Sequence, residues 1–326
     1  MTSPATSPSK ILAVADASNT QIALKTAAAL AATHGATLEI VACFEPPHDL
    51  TLLSRVAGRT PDKLLDEAME RTRDMISTRI AQVMRTPTPL SSFLIGKAYR
   101  EIIGHVAASG CDFVVKAVEP LSAVDRFLFA STDQHLLRAC PCPVWLQTPT
   151  APHRPKRVMA AIDLDMSDAA EPETLMALNR RVLDAACAIA DGPDAQIIVL
   201  HGWDAPAEGF LWAFSGQGDA QRRDQQYVNA ILDARQREMD RFLAEIRAAN
   251  STSPPLVPVL PRGAAEAVIQ EQSAALKVDV VVMGTVARTG LSGMFIGNTA
   301  ENIINSLECP ILAVKPDGFV SPLLRN

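Results

Sequence analysis

The run Val281-Val-Met-Gly-Thr-Val-Ala-Arg-Thr-Gly-Leu-Ser-Gly-Met-Phe-Ile-Gly-Asn-Thr-Ala-Glu-Asn-Ile-Ile304 holds the residues whose types and spacing best suit chemistry. An apolar, strand-like segment leads through Gly284, Gly290, Gly293 and Gly297 into Gly297-Asn298-Thr299, which reads as a helix opening. Glycine lets the main chain take positive φ and come close to a ligand. A helix opening adds free N–H groups and the positive end of a dipole, so the chemistry favoured is the holding of a phosphate group. Doubly wound sheets gather ligands at such strand ends. The same four glycines would also serve a loop that is merely pliable.

Other constellations lead less far. Gly96-Lys97 has no glycine five residues before Gly96, and Ala98 stands where a Walker loop needs a hydroxyl. No G-x-S-x-G elbow, HExxH helix or EF-hand loop occurs. Cys140-Pro-Cys142 follows His135, but a zinc site needs further ligands, so the segment reads as a turn feeding a strand. His201, near Trp203, reads as a pocket wall or a satisfied core histidine rather than a general base. Trp203, Phe210, Trp212 and Phe214 either cover a pocket or partner surface or pack beneath a long loop. With no base in view, no catalytic residue is assigned, and any nucleotide hydrolysis would be slow.

The elements that must position these residues come as a repeat. Asp16 closes Ile11-Leu-Ala-Val-Ala-Asp16, and 147 residues later Asp163 closes Val158-Met-Ala-Ala-Ile-Asp163. Glu39 to Pro46 returns as Ile198 to Ala205, and Cys111-Asp-Phe-Val-Val115 returns as Val278-Asp-Val-Val-Val282. Cys142-Pro-Val-Trp-Leu146 is answered by Cys309-Pro-Ile-Leu-Ala313, 167 residues on, so the second copy carries insertions, expected around Ser167 to Thr174 and Trp203 to Gln226. Short apolar runs alternating with helical patterns suit a parallel sheet covered on both faces. Helices are expected over Asn19 to Thr33, Asp62 to Met84, Tyr99 to Ser109 and Thr132 to Ala139. Along Asp62 to Met84, Leu65, Met69, Thr72, Ile76 and Ile80 share a face. The second-copy counterparts run over Tyr227 to Ala249, Ala264 to Ala275 and Thr299 to Leu307. Each copy therefore reads βαβαβαβαβ, an α/β fold of two tandem doubly wound, Rossmann-like domains.

The prolines and small polar residues of Gln147-Thr-Pro-Thr-Ala-Pro-His-Arg-Pro155 mark the linker. Two domains follow, 10–149 and 155–316, with the boundary near Thr150 and short polar ends beyond. A net charge of −6 offers no cationic face to nucleic acid or to an anionic membrane. Ile11 to Ala15, the first apolar stretch, is too short for a signal-peptide core, so a cytoplasmic protein is expected. Six cysteines without a CxxC pair read as reduced thiols.

The glycine-rich segment resembles the universal stress protein family, whose nucleotide-binding members carry G-x2-G-x9-G-[S/T]. Gly284, Ala287, Gly297 and Asn298 keep that spacing, with Ala287 for the second glycine and Asn298 for the hydroxyl residue. The resemblance spans roughly residues 10 to 316. It is nearest the tandem-domain, E-type members, on Ser131 to Trp145, Gly297 to Glu301 and Ala313 to Asp317. It implies a stress-response sensor or adaptor binding an adenine nucleotide, ATP or AMP, in the second domain. Asp163, Leu200, Met283, Gly284, Ala287, Gly297, Asn298 and Thr299 would line that site, with Asp163 near adenine or ribose and Leu200 walling the base. No metal is expected beyond a nucleotide-associated magnesium. The first copy has Lys116-Ala-Val-Glu-Pro120 in place of Met283 to Ala287 and Ala130 in place of Gly297, so its site is expected to be degenerate. The alternative is that both sites have degenerated, the cavity taking a more apolar ligand or the protein serving as an interaction scaffold. Family members pair last strands, which implies a pseudo-dimer within one chain, with Val144 to Gln147 and Ile311 to Lys315 as facing edges. A monomer, or a dimer of such tandems, would result, with a small-molecule ligand and protein partners.

Overall fold

A computed structural model describes residues 7–16, 20–84, 90–118, 131–166, 169, 171–210, 217–249, 254–285, 298–306 and 309–324. The first half runs β1 (Lys10–Ala15), α1 (Thr20–His34), β2 (Thr37–Phe44), α2 (Leu50–Ala57), α3 (Pro61–Val83), β3 (Ser92–Ile95), α4 (Ala98–Ser109), β4 (Phe113–Ala117), α5 (Ser131–Ala139) and β5 (Val144–Gln147). The second runs β6 (Arg157–Ala161), α6 (Pro172–Ile189), β7 (Gln196–Leu200), α7 (Gln217–Ala249), β8 (Leu256–Val259), α8 (Ala265–Ala275), β9 (Val280–Gly284), α9 (Asn298–Ser306) and β10 (Ile311–Val314), with a 3₁₀ turn at Pro322–Leu324.

All ten strands form one sheet in the order β3-β2-β1-β4-β5-β10-β9-β6-β7-β8. Pairing is parallel within each half. It turns antiparallel at the seam, where Ile311, Leu312 and Ala313 face Leu146, Trp145 and Val144. The expected edges therefore meet, and each covers a ladder of N–H and C=O groups that the other would otherwise leave open.

Because strand side chains alternate between faces, the apolar runs feed two layers at once. Ile11, Ala13 and Ala15 of β1 pack with Leu24 of α1, Ile76 and Ile80 of α3, and Val182 and Phe242 of α6 and α7. Leu12 and Val14 pack on the other face with Ile102, Leu136, Ile269 and Ile303 of α4, α5, α8 and α9. Each of the Leu, Ile, Val and Phe side chains among them, withdrawn from water, contributes about 1.5–3 kcal/mol, and each alanine less.

Local signals set the helix ends. Thr60 caps α3, its hydroxyl accepting from the Lys63 N–H at 3.4 Å, with Pro61 in the first turn. Gly110 ends α4 in the left-handed region at φ 70°. The helices differ from expectation in three places. Helix α7 begins at Gln217, ten residues before the predicted Tyr227, so much of the supposed insertion is helix. Helix α6 starts at Pro172, inside the other supposed insertion, and α2 is an additional short helix.

Candidate functional site at the strand ends of the second half

The carboxyl ends of β6, β7 and β9 converge here, as a doubly wound topology requires. Asp163 lies two residues beyond β6, in a segment fixed by α6. The Asn179 side chain donates to the Asp163 carbonyl at 2.6 Å and accepts from the Asp163 N–H at 3.0 Å. With 3% exposure, Asn179 satisfies in one amide what a strand end would otherwise leave bare. The Asp163 carboxylate accepts from the Asp165 N–H at 3.1 Å. Arg235 of α7 reaches over to Asp165 at 3.0 Å and to Glu238 at 2.7 Å, so a two-sided ion pair ties the long helix to the β6 end.

His201, just past β7, is 2% exposed. Its Nδ1 lies 3.3 Å from the Leu164 N–H and 3.4 Å from the Ile162 carbonyl. Burial holds its imidazole below the ordinary value, against the pull of Asp163. It is therefore neutral near pH 7 and belongs to the core. Trp203 is buried too, its indole N–H donating to the Leu260 carbonyl at 3.0 Å, and it packs with Ala205 and Val228. Phe210 is exposed, while Trp212 and Phe214 lie outside the described residues.

Leu200 and Met283 are buried in the apolar layer beneath α8 and α9. Gly284 corrects an expectation: it does not take a positive φ. A Cβ there would lie 2.6 Å from Cδ2 of Leu178 on α6, so the missing side chain makes room for helix packing. Ala287 and Gly297 lie outside the described residues, as do the side chains of Asn298 and Thr299, which open α9. Also outside are Glu119, Pro120 and Ala130 of the first half.

Three participants gave no signal of their own in the sequence. Thr285, fully buried after β9, accepts from the Lys315 ammonium at 2.6 Å. Lys315 also donates to the Leu137 and Arg138 carbonyls of α5, at 2.6 and 3.0 Å, and so crosses the seam. Asn179 is the third. Only tertiary placement distinguishes these residues from ordinary polar positions in a strand exit or a helix.

The two halves differ at matching positions. Parallel registers Val114↔Val144 and Val281↔Ile311 place the copies 167 residues apart. In the first half Lys116 Nζ lies 2.9 Å from Asp133 in the first turn of α5, with 3% and 0% of the side chains exposed. The corresponding second-half residues are Met283 and Ala300, both buried and apolar. Among the described residues no cluster of three or more His, Cys, Asp or Glu is arranged to hold a metal ion. His135 stacks on Tyr99 with ring centroids 4.0 Å apart.

Two doubly wound halves, each 3-2-1-4-5 in strand order and joined last strand to last strand, define a tandem α/β protein with ligand-type strand ends. A model of the universal stress protein family matches residues 9–147 and 156–315, so the chain belongs to that family. It is similar to Universal stress protein E of Salmonella typhi, 28% identical over 275 residues that cover 79% of this chain and 81% of that one. Similarity to Universal stress protein E of Escherichia coli K12 is also 28%, covering 70% and 68%. Among solved structures, a functionally unknown protein of Pseudomonas aeruginosa PAO1 shares the fold at TM-score 0.63 and 24% identity, covering 95% of this chain and 93% of that one. A universal stress protein of Archaeoglobus fulgidus does so at TM-score 0.56 and 15% identity, covering 94% and 98%.

Proposed function

We propose that this tandem universal stress protein is a non-enzymatic, cytoplasmic sensor or adaptor whose second half holds an adenine nucleotide, ATP or AMP. Occupancy would alter the surface offered to protein partners. The observation that carries this reading is the exchange of Lys116 and Asp133 for Met283 and Ala300. A carboxylate in the first turn of a helix compensates its positive end. Helix α5 has that compensation from within, through Asp133. Helix α9 has Ala300 at the matching step, and its acid one residue later, Glu301, is paired with Arg138. Both first-turn acids are paired with a cation, but Asp133 is fully buried beside Lys116 whereas Glu301 is partly exposed beside Arg138. At the buried side of the α9 opening an external anion therefore has a role that Asp133 fills at α5. Asp163 would then meet the sugar or base, and the 286–297 segment would wrap the phosphates.

Calorimetric titration of the intact protein with ATP and with AMP tests this. The informative variant carries Met283→Lys with Ala300→Asp, which installs the first half's ion pair in the second. Binding should weaken at least roughly tenfold, as expected when an anion competes for the same N–H groups. Unchanged heat would place the nucleotide elsewhere. Gly284 substitutions are poor probes, because they collide with Leu178 before they meet any ligand.

The scaffold reading has its own support in α2, where Leu52, Leu53 and Val56 are 57%, 44% and 81% exposed. Absence of heat from both nucleotides would favour it.

A further inference from the structure

Cys140 and Cys142 lack the companions that zinc would need, yet their sulfurs lie 3.7 Å apart. Cys140 is fully buried and Cys142 is 8% exposed, so an oxidant approaches from the Cys142 side and reaches the Cys140 sulfur when the turn after α5 opens locally. The two residues follow directly on α5, and the Cys140 N–H still donates to the Leu136 carbonyl at 3.0 Å. The next two carbonyls of that last turn, those of Leu137 and Arg138, are taken by the Lys315 ammonium of the second half. The Lys315 amine therefore stands near Cys140, and while it holds its proton it favours a thiolate there.

We propose that Cys140 and Cys142 form a reversible dithiol–disulfide site, oxidised by hydroperoxides, at the seam between the two halves, with Cys140 as the attacking sulfur. The Cys140 thiolate gives an electron pair to one hydroperoxide oxygen. The O–O bond breaks, and the other oxygen leaves with a proton as water or an alcohol, giving a sulfenic acid at Cys140. The Cys142 sulfur then bonds to Cys140, the S–O bond breaks, and the hydroxyl departs with the Cys142 proton as water. In sum the two thiols lose two electrons and two protons, and the hydroperoxide is reduced.

The assignment of roles agrees with the electrostatics. The hydrogen bond from Cys142, with Lys315 as a lesser contributor, holds the Cys140 thiol below its ordinary range, although burial opposes this. The same contact, together with burial, pushes Cys142 well up. Elsewhere burial raises the thiols, Cys187 to about 12 and Cys309 to about 11. Closing the pair shortens 3.7 Å to a bond of about 2.05 Å next to the last turn of α5. That turn holds Lys315, and Lys315 holds Thr285.

The test uses the full chain, treated with hydrogen peroxide while folded, then denatured, alkylated and digested with trypsin. Cleavage after Arg138 and after Lys156, with Pro155 protecting Arg154, releases a peptide holding Cys140 and Cys142 and no other cysteine. The expected product is that peptide lighter by two hydrogens, closed to alkylation and restored by dithiothreitol. Cys142→Ser should leave a dimedone-reactive sulfenic acid at Cys140, and Cys140→Ser should leave none at Cys142. A doubly alkylated peptide after peroxide, a crosslink to another peptide, irreversible sulfinic acid, or dimedone trapped at Cys142 instead would each overturn the proposal.

Discussion

An ammonium withdrawn from water must be held charged by its surroundings or give up its proton. At Lys315 two helix-end carbonyls and the Thr285 hydroxyl surround the amine, which also lies 4.9 Å from the centre of the Phe319 ring. Burial nevertheless pushes it down to about 7 from 10.5, the nearby Cys140 thiol pulling the other way. The unfolded chain therefore keeps a proton on this amine up to 10.5, whereas the folded chain has released it above about 7. Folding stability must rise with pH between those two values, the cost of the buried charge being full below the lower one. Lys315→Met, similar in length and without the amine, should flatten that rise. Urea midpoints at pH values of about 6.5 and about 9.5 measure it. Equal slopes in the two proteins would show that the amine keeps its proton throughout.

The strands begin where two aspartates tie them down, and the repeat preserves the device. Asp112 accepts from the Ser9 and Lys10 N–H groups at 2.9 and 3.0 Å, and its own N–H donates to the Lys10 carbonyl at 3.0 Å. Asp279 accepts from the Lys156 and Arg157 N–H groups at 2.8 and 2.9 Å and donates to the Arg157 carbonyl at 2.9 Å. Each central strand thereby has its first amides satisfied by the neighbour it pairs with. Hydrogen bonds to a charged acceptor are each worth about 1.5–3 kcal/mol when buried and less in water, so Asp112→Ala and Asp279→Ala should each cost about 1–2 kcal/mol. Asn, which keeps an acceptor oxygen, should recover part of the loss. Chemical denaturation reads both, and an unmoved midpoint would remove the tie. The motifs that hold this clamp were visible as Cys111-Asp and Val278-Asp, because central strands are buried on both faces and read as continuous apolar runs. Edge strands were less legible. Neither β3 nor β8 has more than four residues, and β8 includes Pro258, tolerable only where no further strand must pair. The start of α7 was hidden for another reason. Gln217 to Gln226 is polar almost throughout, so no apolar stripe announces it. At the site, the family resemblance pointed to Asp163 and the glycine spacing to Gly284, but neither pointed to Leu178 filling the glycine's space from a helix far back in the chain.

At the scale of the whole molecule, the seam determines whether the two halves are one object or two. Three antiparallel residue pairs cross it, with Arg138 to Glu301 on one face of the sheet and His34 Nε2 at 2.7 Å from the Ala188 carbonyl on the other. Trp145 is buried at its centre, 1% exposed. The link between the halves, by contrast, is exposed at Pro149, Thr150, Pro152 and His153. Covalent continuity there adds effective concentration, whereas the sheet and the buried tryptophan supply the attraction. A protease site inserted between Thr150 and Ala151 should therefore cut the chain without parting it. Size-exclusion chromatography with light scattering should show both fragments in one peak at the mass of the uncut protein. Residues 1–150 produced alone should self-associate instead, because β5 then presents an open ladder, and an apolar one, to a second copy. Fragments that elute separately after cleavage, or a first half that stays monomeric by itself, would mean that the strand-to-strand contact is too weak to join the halves and that the linker does so.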